Sequence, residues 1–150
     1  MQTLRDQILG AWRLESYTSR EASGEVRTPL GPDADGFIIY TPDGYMSAQM
    51  MAQGRPTYAS GDWLNGAHDE LSAAAGGYLA YSGPFSVDEE NRTLQHHIVV
   101  SLFPNWLDDT QVRRARLEGD LLTLSPVDGP GSRVHTIVWR RASLNSRFQA

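Results

Sequence analysis

The 150-residue chain contains no cysteine. Disulfide staples, thiolate nucleophiles and Cys-ligated zinc are therefore excluded within it, and the lack of cysteine is compatible with a cytoplasmic protein. Long apolar runs are missing too, since no stretch approaches the ~20 residues of a membrane helix. The opening run MQTLRDQILGAW has neither a basic leader nor a long apolar core, so no secretion signal is expected. Positive charge is scarce: the net charge is −5, and a nucleic-acid binder needs a clustered basic face. Arg113, Arg114 and Arg116 do cluster, but at strand spacing they divide between two faces. The usual catalytic signatures are also absent. There is no Gly-x-Ser-x-Gly elbow, no phosphate-binding glycine loop, no dinucleotide fingerprint and no His-Glu-x-x-His. The expectation is a cytoplasmic protein that needs no cofactor and has neither nucleic acid nor membrane as partner.

What is present is an ordinary folding composition, 40% hydrophobic and 21% charged. The length suits one domain with a real core, read here as a barrel over residues 1–142 with a patternless tail at 143–150. Thr3 to Leu9 reads as a short helix capped by Thr3, with Leu4 and Ile8 on one face. Strands are expected over 11–20, 25–28, 36–41, 45–51, 77–87, 94–102, 110–117, 121–125 and 133–141. Tight turn signals such as Pro42-Asp43-Gly44 and Glu118-Gly119-Asp120 join many of them. Residues 53–66 are irregular and 67–75 helical, an excursion read either as a lid over a barrel mouth or as a surface loop. Regular hairpin spacing predicts an antiparallel meander, and closing it into an up-and-down β-barrel of about eight strands removes its edges. An open sandwich is the alternative.

The stretch LQHHIVVSLFPNW, Leu94 to Trp106, carries the densest mixture of polar and apolar side chains. On a continuous strand Leu94, His96, Ile98, Val100 and Leu102 share one face, while Gln95, His97, Val99 and Ser101 share the other. Pro104 ends the strand in an aromatic corner.

Several runs together resemble the bacterial and fungal lipocalin-like domain family. They are Gly10-Ala11-Trp12-Arg13-Leu14, YTPDGYMS (Tyr40–Ser47), GYLAYSGPF (Gly77–Phe85), HH…SLFPNW and GDLLTLS. The resemblance extends from about Ile8 to about Arg141. It implies a lipocalin-like, calycin-type barrel with an interior cavity, used to bind a small, mostly apolar molecule, in some members near secondary metabolism. Similar barrels have become isomerases and cyclases. The Gly-x-Trp opening is also similar to that of classical lipocalins, whose Trp packs at the closed end against an Arg from the last strand; here Arg140 or Arg141 would take that part.

For an enzyme of this kind, a cofactor-free isomerase, cyclase or dehydratase, one inward histidine would be the acid–base group. His97, on the more polar face, is favoured for the pocket, with His96 the alternative. Tyr40, Tyr81 and Asn105 would hold an oxyanion. Met46, Met50, Phe85 and Trp106 would give an apolar lining, with Gln49 and Gln111 as polar contacts and Arg113 or Arg116 reaching a ligand carboxylate. Adjacent His96 and His97 point to opposite faces and cannot chelate one metal together, so no metal site is expected. A packed barrel serving as a protein-interaction module is the remaining reading. The strand near Pro84, read as an edge, makes a homodimer possible.

Overall fold

The computed structural model describes residues 1–127 and 133–144. Parts of the Pro/Gly loop and of the C-terminal tail expected above fall outside them. In chain order the elements are α1 (Leu4–Ile8), β1 (Gly10–Arg20), β2 (Val26–Arg27), β3 (Asp35–Tyr40), β4 (Tyr45–Met51), α2 (His68–Gly76) and β5 (Tyr78–Asp88). Then come β6 (Thr93–His97), β7 (Val100–Ser101), a 3₁₀ turn (Pro104–Trp106), β8 (Thr110–Glu118), β9 (Leu121–Pro126) and β10 (Val134–Arg141). All pairings among them are antiparallel, and β10 returns to pair with β1. The circuit β1-β3-β4-β5-β6-β8-β9-β10 is therefore a closed up-and-down barrel. β2 hangs from β1, and β7 from β5.

Alternation of small polar and large apolar side chains explains most of the strands. In β4, Met46, Ala48 and Met50 are buried, while Tyr45 and Gln49 are exposed. The core is sealed by Trp12, Ile38, Tyr40, Leu94, Leu122 and Trp139, each no more than 1% exposed.

Two irregularities break the simple alternation. On β1, Leu14 pairs with Trp139 but Ser16 pairs with Val138, so one extra residue is inserted opposite a single step of β10. Trp12 and Leu14 point inward before this bulge; Tyr17 and Ser19 point inward after it.

The second irregularity divides the expected 94–102 strand. β6 stops at His97, Ile98 N–H donates to the Asp109 carbonyl (2.9 Å), and Val99 N–H donates to the Ser82 carbonyl (3.0 Å). Here the chain crosses β5 at Gly83, where an added Cβ would lie 1.8 Å from the His97 carbonyl oxygen. Only glycine allows that approach. Val100 and Leu102 consequently face outward, 58% and 43% exposed, instead of joining Ile98 inside.

Pro84 is not on an edge. It pairs with Tyr45 and lies in the gap between the β5–β6 and β5–β7 ladders, where no N–H is needed from that side. β5 is paired on both sides, so the strand read as an edge is an interior one.

One end of the barrel is covered by α1. Its Thr3–Asp6 capping box fixes the start, and the Glu89 carboxylate accepts from the N–H groups of Leu4 (2.8 Å) and Arg5 (3.0 Å). Leu4 and Ile8 are buried beneath it. Trp12 Nε1 donates to the Ile8 carbonyl at 2.8 Å. Of the two candidate arginines, Arg141 covers the indole, 4.2 Å from its centroid, and donates to the carbonyls of Gln7 and Leu9. Arg140 points outward to Glu15, at 3.0 Å.

The 53–76 excursion packs on the outside. Arg55 lies 4.8 Å over the Tyr78 ring and donates to the Ala74 carbonyl, and α2 buries no residue. No residue of this segment lines the interior cavity. Among the described residues no helix is long and apolar enough to cross a membrane.

Candidate ligand-binding site

The barrel interior holds a cavity of about 120 Å³. Larger depressions, about 320 and 410 Å³, lie on the outer face of β3–β5 and open to solvent. Polar groups from several strands converge on the interior one. Its walls are Tyr17 of β1, Met50 of β4, Leu79 and Tyr81 of β5, Gln111 and Arg113 of β8, Leu124 of β9, and His135 and Ile137 of β10. Trp106, carried in by the 3₁₀ turn, completes them and meets the Tyr81 ring edge-on with centroids 5.5 Å apart. Pro104 at the first position of that turn and the chain reversal through Asp109 aim the indole inward.

The histidine facing the interior is His96. It is fully buried, and its Nε2 lies 2.8 Å from the Tyr40 hydroxyl. Nδ1 has no partner among the described residues. Burial above all, helped by the nearby positive charge of Arg113, pushes the imidazole down to about 3, so it is neutral at physiological pH. Burial likewise raises the Tyr40 phenol well above its ordinary value and pushes Tyr81 up to about 12. His97, favoured from sequence, sits on the outer face between Ser86 (3.3 Å) and Thr110 (3.0 Å). The polar face of that strand is thus the solvent face, and Leu94, His96 and Ile98 turn to the core.

The other expected site residues separate into three groups. Tyr81, Met50, Trp106, Gln111 and Arg113 line the cavity. Tyr40, Met46 and Phe85 are buried in the core beside it, with Phe85 edge-on to Tyr40 (4.9 Å) and covered by the Arg5 guanidinium (4.7 Å). Gln49 and Asn105 are exposed: Gln49 accepts from the Tyr78 hydroxyl on the outer face, and Asn105 occupies the middle of the 3₁₀ turn. Gln49 faces solvent because its neighbours Ala48 and Met50 turn inward. Arg116 also points outward, to Glu118 at 2.5 Å.

Tyr17 and His135 were not legible as site residues. Their side chains meet across β1 and β10, Tyr17 Oη lying 3.0 Å from His135 Nδ1. The bulge at Glu15 brings Tyr17 inside, and no signal in the sequence marks it. Burial, followed by the charges of Arg133 and Arg113, lowers the His135 pKa, while burial raises that of Tyr17.

Residues 9–142 match the model of the lipocalin-like domain family. The chain belongs to that family. It is 42% identical over 88 residues to an Aspergillus oryzae protein named 4'-hydroxy-3'-methoxypropiophenone carrier protein ppsC, an alignment covering 55% of this chain and 79% of that protein. It is also similar to a lipocalin-like protein from Bacteroides uniformis, with 14% identity and a TM-score of 0.49 over 90% of this chain and 98% of the other. In this lipocalin-like chain the family's barrel is closed at one end by α1, Trp12 and Arg141, and the interior cavity opens among Tyr17, Tyr81, Trp106 and Arg113.

Proposed function

We propose that residues 1–142 form one barrel domain that carries a small, mostly apolar molecule in its interior, in a cytoplasmic step of secondary metabolism. The single observation that carries this reading is a cavity walled by Met50, Leu79, Leu124, Ile137 and Trp106 and dotted with a few polar groups, the usual make-up of a small-molecule site. Its volume, about 120 Å³, is on the scale of the ~150 Å³ cavity that accepts benzene in another protein. One ring fits, and anything larger must move the Trp106 corner. The Aspergillus oryzae relative is named as the carrier of an aromatic ketone with one substituted ring, a molecule larger than benzene that this cavity would take only with the Trp106 corner displaced. The chain contains no lysine, so a ketone here would be held without a Schiff base from a lysine side chain.

A carrier is better supported than acid–base catalysis by His96. A group whose conjugate acid has a pKa of about 3 is a feeble base at neutral pH, and Tyr81 stands between it and the cavity.

The test is titration of the purified protein with 4'-hydroxy-3'-methoxypropiophenone, followed by Trp fluorescence, together with native mass spectrometry of protein from its own host. Saturable quenching that is lost in Trp106→Phe, with one molecule bound per chain, is the expected result. Absence of saturable binding and of any co-purified compound would overturn the carrier reading.

A further inference from the structure

Arg113 occupies an inward position of β8, between buried Gln111 and buried Ala115. Its guanidinium donates to the Gln111 side-chain carbonyl (2.7 Å) and to the Val112 carbonyl (3.1 Å). No carboxylate lines the cavity, and Arg113 has no acidic partner among the described residues. The nearby Glu21 carboxylate is engaged by Arg133 at 2.9 Å. A charge partly withdrawn from water without a counter-charge is disfavoured, and half-buried Arg113 is held among the described residues by two carbonyl groups alone. Every other titratable group facing Arg113 is neutral at pH 7: Tyr17 from β1, Tyr40 from β3, Tyr81 from β5, His96 from β6 and His135 from β10. The cavity is therefore positive, and its charge sits on a planar fork suited to an oxyanion. The Tyr81 hydroxyl, which makes no hydrogen bond to the described residues, is a second donor on the same wall.

We propose that the cavity selects aromatic molecules with an acidic oxygen, a carboxylate or an ionised phenol, which pairs with the Arg113 guanidinium while the ring packs against Met50, Leu79 and Trp106. This rests on the carrier reading and narrows it from apolar molecules in general to aromatic acids. Gln111 is a positioning residue: it takes one hydrogen of Nη2 while the Val112 carbonyl takes one of Nη1, which leaves the Nε hydrogen and the second hydrogen of each terminal nitrogen for a ligand.

The experiment measures dissociation constants of the full chain for 4-ethylbenzoate, 4-hydroxyacetophenone and 4-methoxyacetophenone. The carboxylate arm is read at pH 7. The phenol arm is read below and above the pH at which that hydroxyl ionises, with the methyl ether as neutral reference. One charge-assisted hydrogen bond corresponds to about tenfold or more in affinity. The expected result is at least about tenfold tighter binding of an ionised probe than of the ether. Arg113→Met erases the preference, and Arg113→Lys keeps part of it. The two arms distinguish a carboxylate site from a phenolate site. Equal affinity for ether and anions in the unmodified protein, or a preference that survives Arg113→Met, would overturn the proposal and leave the carrier reading standing. No binding of any probe, the ether included, would overturn the proposal, and together with the absence of any co-purified compound it would overturn the carrier reading too.

Discussion

The Tyr40 hydroxyl lies 2.8 Å from Nε2 of His96, and neither side chain is more than 1% exposed. The bond joins β3 to β6 across the barrel, where both partners would otherwise be unpaired polar groups. Loss of one partner strands the other. Tyr40→Phe is expected to cost about 1–3 kcal/mol of unfolding free energy, measured by urea denaturation with an unchanged m-value.

The same burial makes stability depend on pH. The folded-state pKa of His96, about 3, lies below the value of about 6.5 for an exposed imidazole. As pH falls below ~6.5 the unfolded chain takes up the proton first, so the contribution is complete above that pH and declines down to about pH 3. The slope is at most about 1.4 kcal/mol per pH unit. His135, also lowered by burial, acts in the same direction. Denaturation of wild type and His96→Gln at intervals from pH 7 to pH 4 is expected to give a shallower slope for the variant, and equal slopes would refute the assignment. NMR titration should find His96 uncharged throughout this range and the His135 pKa rising in Arg113→Gln.

Arg141 and Arg140 are neighbours with opposite duties. Arg141 covers Trp12 and ties β10 to the carbonyls that follow and end α1. Arg141→Ala is expected to cost about 1–2 kcal/mol, from the lost cation–π contact and the two charge-assisted bonds. Arg140→Ala removes an exposed pair with Glu15 and should leave the urea midpoint unchanged.

Gly83 is required by the crossing of two backbones. Gly83→Ala would press a methyl group into the His97 carbonyl, and overpacking of this kind costs about 3 kcal/mol. Thermal unfolding should register it as a clear drop in Tm, whereas the same change at Gly76, where an added Cβ meets nothing within 4 Å, should have little effect.

Arg113 gives a stability prediction independent of any ligand. Arg113→Met removes an inward cation that lacks a carboxylate partner but strands the buried Gln111 carbonyl, and the two effects are expected to offset to within about 1 kcal/mol in urea denaturation. A large destabilisation instead would mean that the guanidinium serves the fold.

The amino-acid order determined the meander. Alternation in Tyr45–Met51, turn signals at Pro42-Asp43-Gly44 and Gly119, and the Thr3 cap are local features, and β4 runs from Tyr45 to Met51 as read. Half of the residues lining the cavity were legible as well: Met50, Tyr81, Trp106, Gln111 and Arg113. Which face of each strand turns inward was not local. A period of two defines two faces without naming the inner one, and a single inserted or skipped residue exchanges them. The bulge at Leu14–Ser16 brought Tyr17 inside. Leu94 and His96 took the inner face of β6 and left His97 outside, and the crossing at Gly83 ended that strand and put Val100 and Leu102 outside. Those choices depend on contacts between strands far apart in the chain, and only the closed barrel could make them.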